Sequence, residues 1–271
     1  MIHDTIPLDF PDYVPEGGFR WFETRLKAVG ALAALVLCNS AATRSDAERH
    51  FARLGRVPPM LTARLGATPL RPDPALIPPG LDLSRPFFVI LGTIEPRKNH
   101  ALLLDLWEGM ARDGVRPPPR LLILGRRGWR NEPVFRRLDA LKGSADVLEL
   151  PDLPDGAVAA LVSRARALLL PSHAEGFGLP AAEAAALGVP VLCNDLPVYR
   201  EFLGDHPLAL PVSRPDLWRA AVEAFATGAA PPRPAPPPLP TWEAHFAAVL
   251  SHLPGASAPP ERPRHALPAA R

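Results

Sequence analysis

The sequence predicts a doubly wound α/β fold, in which a parallel sheet is covered by helices on both faces. Three observations predict it. Short apolar runs recur at Phe87 to Leu91, Arg120 to Leu124, Val147 to Leu150, Ala167 to Leu170 and Val189 to Cys193, each with the continuous apolar content of a strand buried on both sides. Between them lie segments with helical spacing, such as Ala101 to Trp107 and Ala157 to Ala165. The two kinds of segment alternate strictly, and that alternation requires crossover connections and so a parallel sheet.

Taken in order, the chain opens on a strand stub at Met1 to His3. A helix follows at Phe19 to Ala34, a strand at Leu35 to Asn39, a second helix at Ser45 to Leu54 and a short strand at Met60 to Gly66. These make residues 1–70 a partial N-terminal unit, because a self-sufficient doubly wound unit needs roughly 100 residues. Proline then punctuates residues 71–86, which read as a linker, since proline donates to neither helix nor sheet ladders. The main α/β domain occupies residues 87–228. Residues 229–271 form a second proline-rich segment, with 12 of the 37 prolines from Pro231 onward, and contain one helix at about Thr241 to Leu253. That helix is isolated and apolar enough to dock on another element.

Composition narrows the function. With 47% hydrophobic and 21% charged residues the chain falls in the soluble globular range. Its 30 basic and 28 acidic residues leave a net charge of +2, which argues against a nucleic-acid binder, so an anionic ligand must be met by local charge. Cys38 and Cys193 each sit inside an apolar run, suggesting neither disulfide nor zinc site and fitting a reducing cytoplasm. The N-terminus, with Asp4 and Pro7, lacks the layout of a signal peptide. The longest apolar run, Ala28 to Cys38, is shorter than the ~20 residues that span a bilayer; peripheral contact with the inner face of the membrane stays open. No histidine shows metal-ligand spacing, and no metal is expected.

The chemistry concentrates between Leu168 and Val191. A strand enters a loop, Pro171-Ser172-His173-Ala174-Glu175-Gly176-Phe177-Gly178, that opens a helix. Pro180 suits the first helical position and Gly188 the residue past the end. The helix amides at Gly178 and Leu179 would carry positive dipole charge, and Gly176 and Gly178 would let the backbone approach a bulky anion such as a diphosphate. Glu183, expected in the first turn, would accept hydrogen bonds from a ribose diol, and Glu175 would face whatever lies beyond the diphosphate. The bland reading, a solvated helix carboxylate and a loop charge, does not explain why strand, glycines, proline and the Glu175–Glu183 spacing coincide.

This segment resembles the Glu-x7-Glu signature of retaining glycosyltransferases of family GT4, which have the two-domain, Rossmann-like GT-B fold. Leu91-Gly92-Thr93-Ile94-Glu95-Pro96-Arg97-Lys98-Asn99-His100 is similar to the strand and loop that open the donor-binding domain, Leu124 to Trp129 to the next strand end, and Leu187 to Val191 to the family's segment there. The likeness covers residues 87–227 well and residues 2–66 more thinly. It implies that Arg97 and Lys98, with the Gly178 and Leu179 amides, hold the donor diphosphate. Gly176 and Phe177 belong to the same loop, although Phe177, like Trp107 and Trp129, also reads as packing. Thr93 stands where many relatives have arginine, which places more of the diphosphate affinity on Arg97. By the same likeness Glu175 stabilises the transferred sugar and Glu183 binds the donor ribose. His3-Asp4-Thr5-Ile6-Pro7 is similar to the family's His-Asp-x-Ile-Pro, whose histidine faces the sugar, and Asn39-Ser40 also fits.

The resemblance implies transfer of a hexose from a nucleoside-diphosphate sugar to the hydroxyl of a glycan or glycolipid acceptor, with retention, without a cofactor, in polysaccharide or lipopolysaccharide assembly. Only a remnant of the acceptor-side Rossmann-like domain is expected in this sequence, so a truncated, inactive nucleotide-sugar-binding module is the alternative. A nicotinamide-dependent oxidoreductase would need Gly-x-Gly-x-x-Gly after its first strand, and Gly92 to Arg97 lacks it.

Overall fold

The computed structural model describes residues 1–252 except 69, 115, 116, 233, 234 and 237. Its main sheet has six parallel strands in the order β5-β4-β3-β6-β7-β8. These are β3 (Phe87–Leu91), β4 (Arg120–Leu124), β5 (Val147–Leu150), β6 (Leu168–Leu170), β7 (Val191–Cys193) and β8 (Leu208–Ala209). Five match the apolar runs; β8, two residues long, lies between Pro207 and Pro211 and leaves no such run. The crossovers are α4 (His100–Arg112), α5 (Glu132–Ala140), α6 (Asp155–Arg164), α7 (Leu179–Ala186) and α8 (Pro197–Leu203), and α9 (Pro215–Thr227) follows β8.

Alternate residues of each strand go to opposite cores, as the two-residue period of a strand requires. Phe88, Ile90, Leu121, Ile123, Leu169 and Leu192 pack with Leu103 and Trp107 of α4 and Trp218 of α9. Phe87, Val89, Leu122, Leu168, Leu170 and Val191 pack with Leu161 of α6, Ala181 of α7 and Tyr199 of α8. Helices therefore cover both faces of the sheet.

Ahead of this sheet lie α1 (Ile6–Asp9), α2 (Gly18–Leu32), β1 (Val36–Cys38), α3 (Ala41–Arg53) and β2 (Met60–Thr62). β1 and β2 pair in parallel. The N-terminal stub adds a single parallel bridge, Ile2 to Cys38, with the Ile2 amide donating to Leu37 O at 2.8 Å. The side chains of Ile2, Leu26, Val36, Cys38, Ala47 and Phe51 form a small core of their own.

Residues expected to be linker carry structure: Pro74–Leu76 is a 3-10 turn, and the Asp73 amide donates to Gly156 O at 2.9 Å, tying it to α6. The last helix, α10 (Trp242–Leu250), returns to the N-terminal unit. Its His245 Nδ1 lies 3.0 Å from Arg64 O, the Ala67 amide donates to Pro240 O at 2.9 Å, and Trp242 covers Gly66, where a side chain would clash. The expected tail beyond residue 252 lies outside the described residues. Among those described, no helix is long and apolar enough to cross a membrane, and both cysteines are buried and neither is in a disulfide.

Candidate functional site at the switch point of the sheet

Strand order reverses between β3 and β6, which are neighbours although two strands and three α-helices of chain separate them. The connections leaving these two strands run to opposite sides, so a crevice opens beyond their carboxyl ends, where ligands bind in open α/β sheets. The two loops that border it are residues 92–99 and 171–178.

The first loop folds back on its own strand. Gly92 has φ +138°, and the Lys98 side chain lies over it, 3.3 Å from where a Cβ would stand. Pro96–Lys98 is a single 3-10 turn, closed by Asn99 at φ 54°. This turn aims two cations at the second loop. Lys98 Nζ lies 2.6 Å from Glu175 Oε1, and Arg97 Nη1 lies 2.8 Å from Glu175 Oε2. Arg97 also pairs with buried Glu95 at 2.6 Å and donates to Ala174 O at 2.9 Å. The loops are joined through main chain too, with the His173 amide donating to Arg97 O at 2.8 Å.

Burial alone would raise the Glu175 carboxyl, but Lys98 and Arg97 outweigh it and hold the group below its usual range, as a carboxylate. Lys98 is only 7% exposed and stays behind this carboxylate, while Arg97 and Glu175 line the cavity in front of it. Next along the chain, His100 is buried with neither ring nitrogen partnered, and burial, helped by Lys98, pushes its imidazole down to about 3.

The second loop adds a reason for its glycines. The glycines are required by contacts within the protein, whatever room they also give an anion. A side chain at Gly176 would strike the His3 carbonyl, with Asp4 Cβ at 3.0 Å, and the Gly176 carbonyl accepts from Ser40 Oγ at 3.0 Å and Thr43 Oγ1 at 3.1 Å. A side chain at Gly178, whose φ is +87°, would meet the Tyr199 ring at 2.6 Å. Phe177 lines the cavity yet stacks on Phe202, with centroids 4.9 Å apart and planes 9° apart.

Glu183 is a correction. α7 starts at Leu179, so Pro180 is its second residue and Glu183 its fifth, one turn in and no longer beside the free amides. Its carboxyl lines a separate cavity of about 310 Å³, walled by Leu91, Leu124, Leu150 and Val158. Burial, then the charge of Asp155, raises it.

The first cavity, about 440 Å³, lies between the N-terminal unit and the sheet, and His3, Asp4 and Asn39 line it opposite Arg97 and Glu175. The Ile6 amide donates to Asp4 Oδ1 at 3.0 Å, and burial raises the Asp4 carboxyl. The expected His3 is thus placed across the cleft from Glu175. Two lining groups were missed. Tyr13 stacks on His173 with centroids 5.4 Å apart, and Trp129 Nε1 donates to Tyr13 O at 2.8 Å. Trp129, in a segment that reads as an ordinary turn, bridges the two units through that bond. Only the pairing across 116 residues reveals it.

The family model of the glycosyl transferases group 1 matches residues 77–228, from within the linker to the end of α9. The chain belongs to this family. Among its relatives is the serotype-specific mannosyltransferase WbdA of Escherichia coli, 30% identical over 237 residues, covering 82% of this chain and 29% of the relative. The O-antigen chain mannosyltransferase B of Escherichia coli is 29% identical over 214 residues, covering 76% of this chain and 55% of the relative. The chain thus spans under a third of the first relative's length and about half of the second's. Among solved structures, the sucrose-phosphate synthase of Thermosynechococcus elongatus superposes with a TM-score of 0.64 at 20% identity, covering 91% of this chain and 61% of that one. Anabaena HepE in complex with UDP-glucose gives 0.63 at 16% identity, covering 84% and 65%. These likenesses establish the GT-B type of fold, and the resemblance read from Glu175 to Glu183 belongs to the family the model matches.

Proposed function

We propose that this chain is the donor-binding part of a glycosyltransferase that moves a hexose from a nucleoside-diphosphate sugar to an acceptor hydroxyl, with retention, in O-antigen-like polysaccharide or lipopolysaccharide assembly. One observation carries the reading: Glu175 is held as a carboxylate by Arg97 and Lys98 at a cavity on the switch point, and Glu183 lines a second cavity one helical turn further along α7. The relatives, being mannosyltransferases, favour mannose as the hexose. The complex of HepE with UDP-glucose supports a nucleotide sugar as donor.

In this reading the diphosphate lies against the Gly178 and Leu179 amides with Arg97, and Lys98 adds charge from behind. As the glycosidic bond breaks, negative charge builds on the departing phosphate, and these fixed groups stabilise it more than they stabilise the bound donor. The Glu175 carboxylate offsets the positive charge on the sugar, and His3 contacts the sugar from the N-terminal side. The departing phosphate takes the acceptor proton on the same face, so neither a protein nucleophile nor a cofactor is needed.

The test is calorimetric titration with nucleoside diphosphates, followed by assay of nucleotide-sugar hydrolysis or transfer in the wild type and in Glu175→Ala. Diphosphate binding with turnover that disappears in the variant is expected. Binding without turnover would leave the narrower reading, an inactive nucleotide-sugar-binding module, and failure to bind any diphosphate would overturn both.

A further inference from the structure

Two hydroxyl groups stand behind Glu175 in the body of the main domain. Ser172, in the loop that follows β6, is fully buried, and so is Tyr199 of α8. Neither Ser172 Oγ nor Tyr199 Oη has a hydrogen-bond partner of good geometry among the described residues. Ser172 nevertheless lies close enough to both Tyr199 and the Glu175 carboxyl to lower each of them. A buried hydroxyl left unpaired is costly, so two at one place call for a use. Both are firmly placed. Asn194 Nδ2 donates to Ser172 O at 2.9 Å, and the Tyr199 ring packs under the loop, where a side chain at Gly178 would meet it at 2.6 Å. Burial, then the charge of Glu175, pushes the Tyr199 phenol well above its ordinary range, so it stays a donor.

Glu175 needs such donors once a nucleotide sugar is in place. In the structure its two oxygens are taken by cations, Lys98 at 2.6 Å and Arg97 at 2.8 Å. A diphosphate brings negative charge beside this carboxylate and competes for Arg97, and both effects favour the protonated acid. A neutral Glu175 could not offset positive charge on the sugar. Resting on the donor-site reading above, we propose that Tyr199 and Ser172 are positioning residues for Glu175. When the diphosphate draws Arg97 away, Tyr199 Oη–H donates to Ser172 Oγ and the Ser172 hydroxyl donates to the carboxylate, which keeps it ionised and aimed at the sugar. The order of the relay follows from donor counts. Each hydroxyl has a single hydrogen, so a phenol donating to Ser172 Oγ leaves the serine hydrogen free to turn to the only acceptor beside it that carries charge. Lys98 stays behind Glu175 throughout, and no proton is transferred.

The experiment is calorimetric titration of the whole chain with GDP and UDP from about pH 4.5 to about pH 8, repeated with Ser172→Ala and with Tyr199→Phe. Whichever nucleotide binds the wild type, each variant should bind it about tenfold more weakly at the upper end, the size of effect of a hydrogen bond to a charged group. The ratio to wild type should fall toward one at the lower end, where Glu175 is protonated in every bound form. Affinity regained at low pH also shows that the variants are folded. With Glu175→Gln as the starting protein, adding Ser172→Ala should give a ratio that does not change with pH. A ratio that is constant with pH in the single variants, or the same pH-dependent loss with Glu175→Gln present, would overturn the relay and leave the donor site standing. Failure of the wild type to bind either nucleotide would remove the donor site and this proposal together.

Discussion

The carbonyl oxygen of His3 occupies the space that a side chain at Gly176 would need. The donor-side loop is therefore shaped against the N-terminal strand stub, and the two lining residues that face each other across the larger cavity, His3 and Glu175, are set by one main-chain contact. Because the obstruction is backbone rather than the end of a flexible side chain, it cannot be relieved by a rotamer change. Gly176→Ala should lower stability by about 1–3 kcal/mol, as overpacking does, and weaken nucleoside-diphosphate binding. Urea denaturation with a parallel titration measures both; an unchanged midpoint would contradict the contact.

Glu175 and Lys98 should be strongly coupled. Removing one member of a buried ion pair leaves the other charge uncompensated, at a cost of about 3–5 kcal/mol. Because Arg97 still pairs with Glu175, Lys98→Met should cost less than that, about 1–3 kcal/mol, the value of a hydrogen bond to a charged group, and Lys98→Met with Glu175→Gln should recover part of it, because Arg97 keeps its second partner, Glu95. A double-mutant cycle in guanidinium chloride gives the coupling directly.

The same carboxylate sets an acid limit. Its folded pKa lies below the ordinary value of 4.5, so its contribution is present above that value and is lost as pH falls through the folded value. His100 acts at higher pH. Its folded pKa of about 3 lies below the ordinary 6.5, so below pH 6.5 the unfolded chain takes up a proton that the folded chain refuses. Stability should fall by about 2 kcal/mol between neutrality and pH 5 from this group alone. Chemical denaturation at pH 7 and pH 5 should show a smaller difference for His100→Met than for the wild type; equal slopes would refute the assignment.

Glu183 has the opposite sign. Its carboxyl is raised, so ionisation of the unfolded chain from pH 4.5 upward favours unfolding until the folded group also ionises, and at neutral pH the residue is a net cost. Glu183→Gln should raise the melting temperature at pH 7 while lowering diphosphate affinity. A residue with only a structural role would not move the two quantities in opposite directions.

Glu201 of α8 caps a helix of the other unit: the Ala41 amide donates to it at 2.9 Å and the Ala42 amide at 3.3 Å, with Arg64 3.3 Å away. Glu201→Ala leaves the α3 amides to the Ser40 cap alone and should cost about 1 kcal/mol, a typical value for a lost cap. Proteolysis of α3 under native conditions should speed up in this variant, since the contact joins α3 to the main domain.

Most of the regular structure was legible because it rests on local pattern. Phe87 to Leu91 and Arg120 to Leu124 appear as strands with the same bounds, and α2, α3, β1 and β2 fall within a few residues of their expected places. What was missed has a weak local signal, as with β8 between two prolines, or depends on a partner far away, as with Tyr13 against His173 and Trp129. Glu183 moved from the fourth to the fifth residue of the helix, out of the first turn, because its position hinges on whether the helix begins at Leu179 or Pro180, a boundary that composition alone leaves loose.

The sequence by itself determined the doubly wound order, the two loops that flank the switch point and the identity of the charged residues in them, because strand burial, helix starts and glycine positions are written in short segments. Only the tertiary structure decided what those residues do to one another. Arg97 and Lys98 converge on Glu175 across 77 or more residues, and His3, Ser40 and Thr43 close on Gly176 across more than 130. Such contacts follow from how strands neighbour in the sheet and how the N-terminal unit packs on it, and electrostatics at 3 Å depends on those distances rather than on the order of residues along the chain.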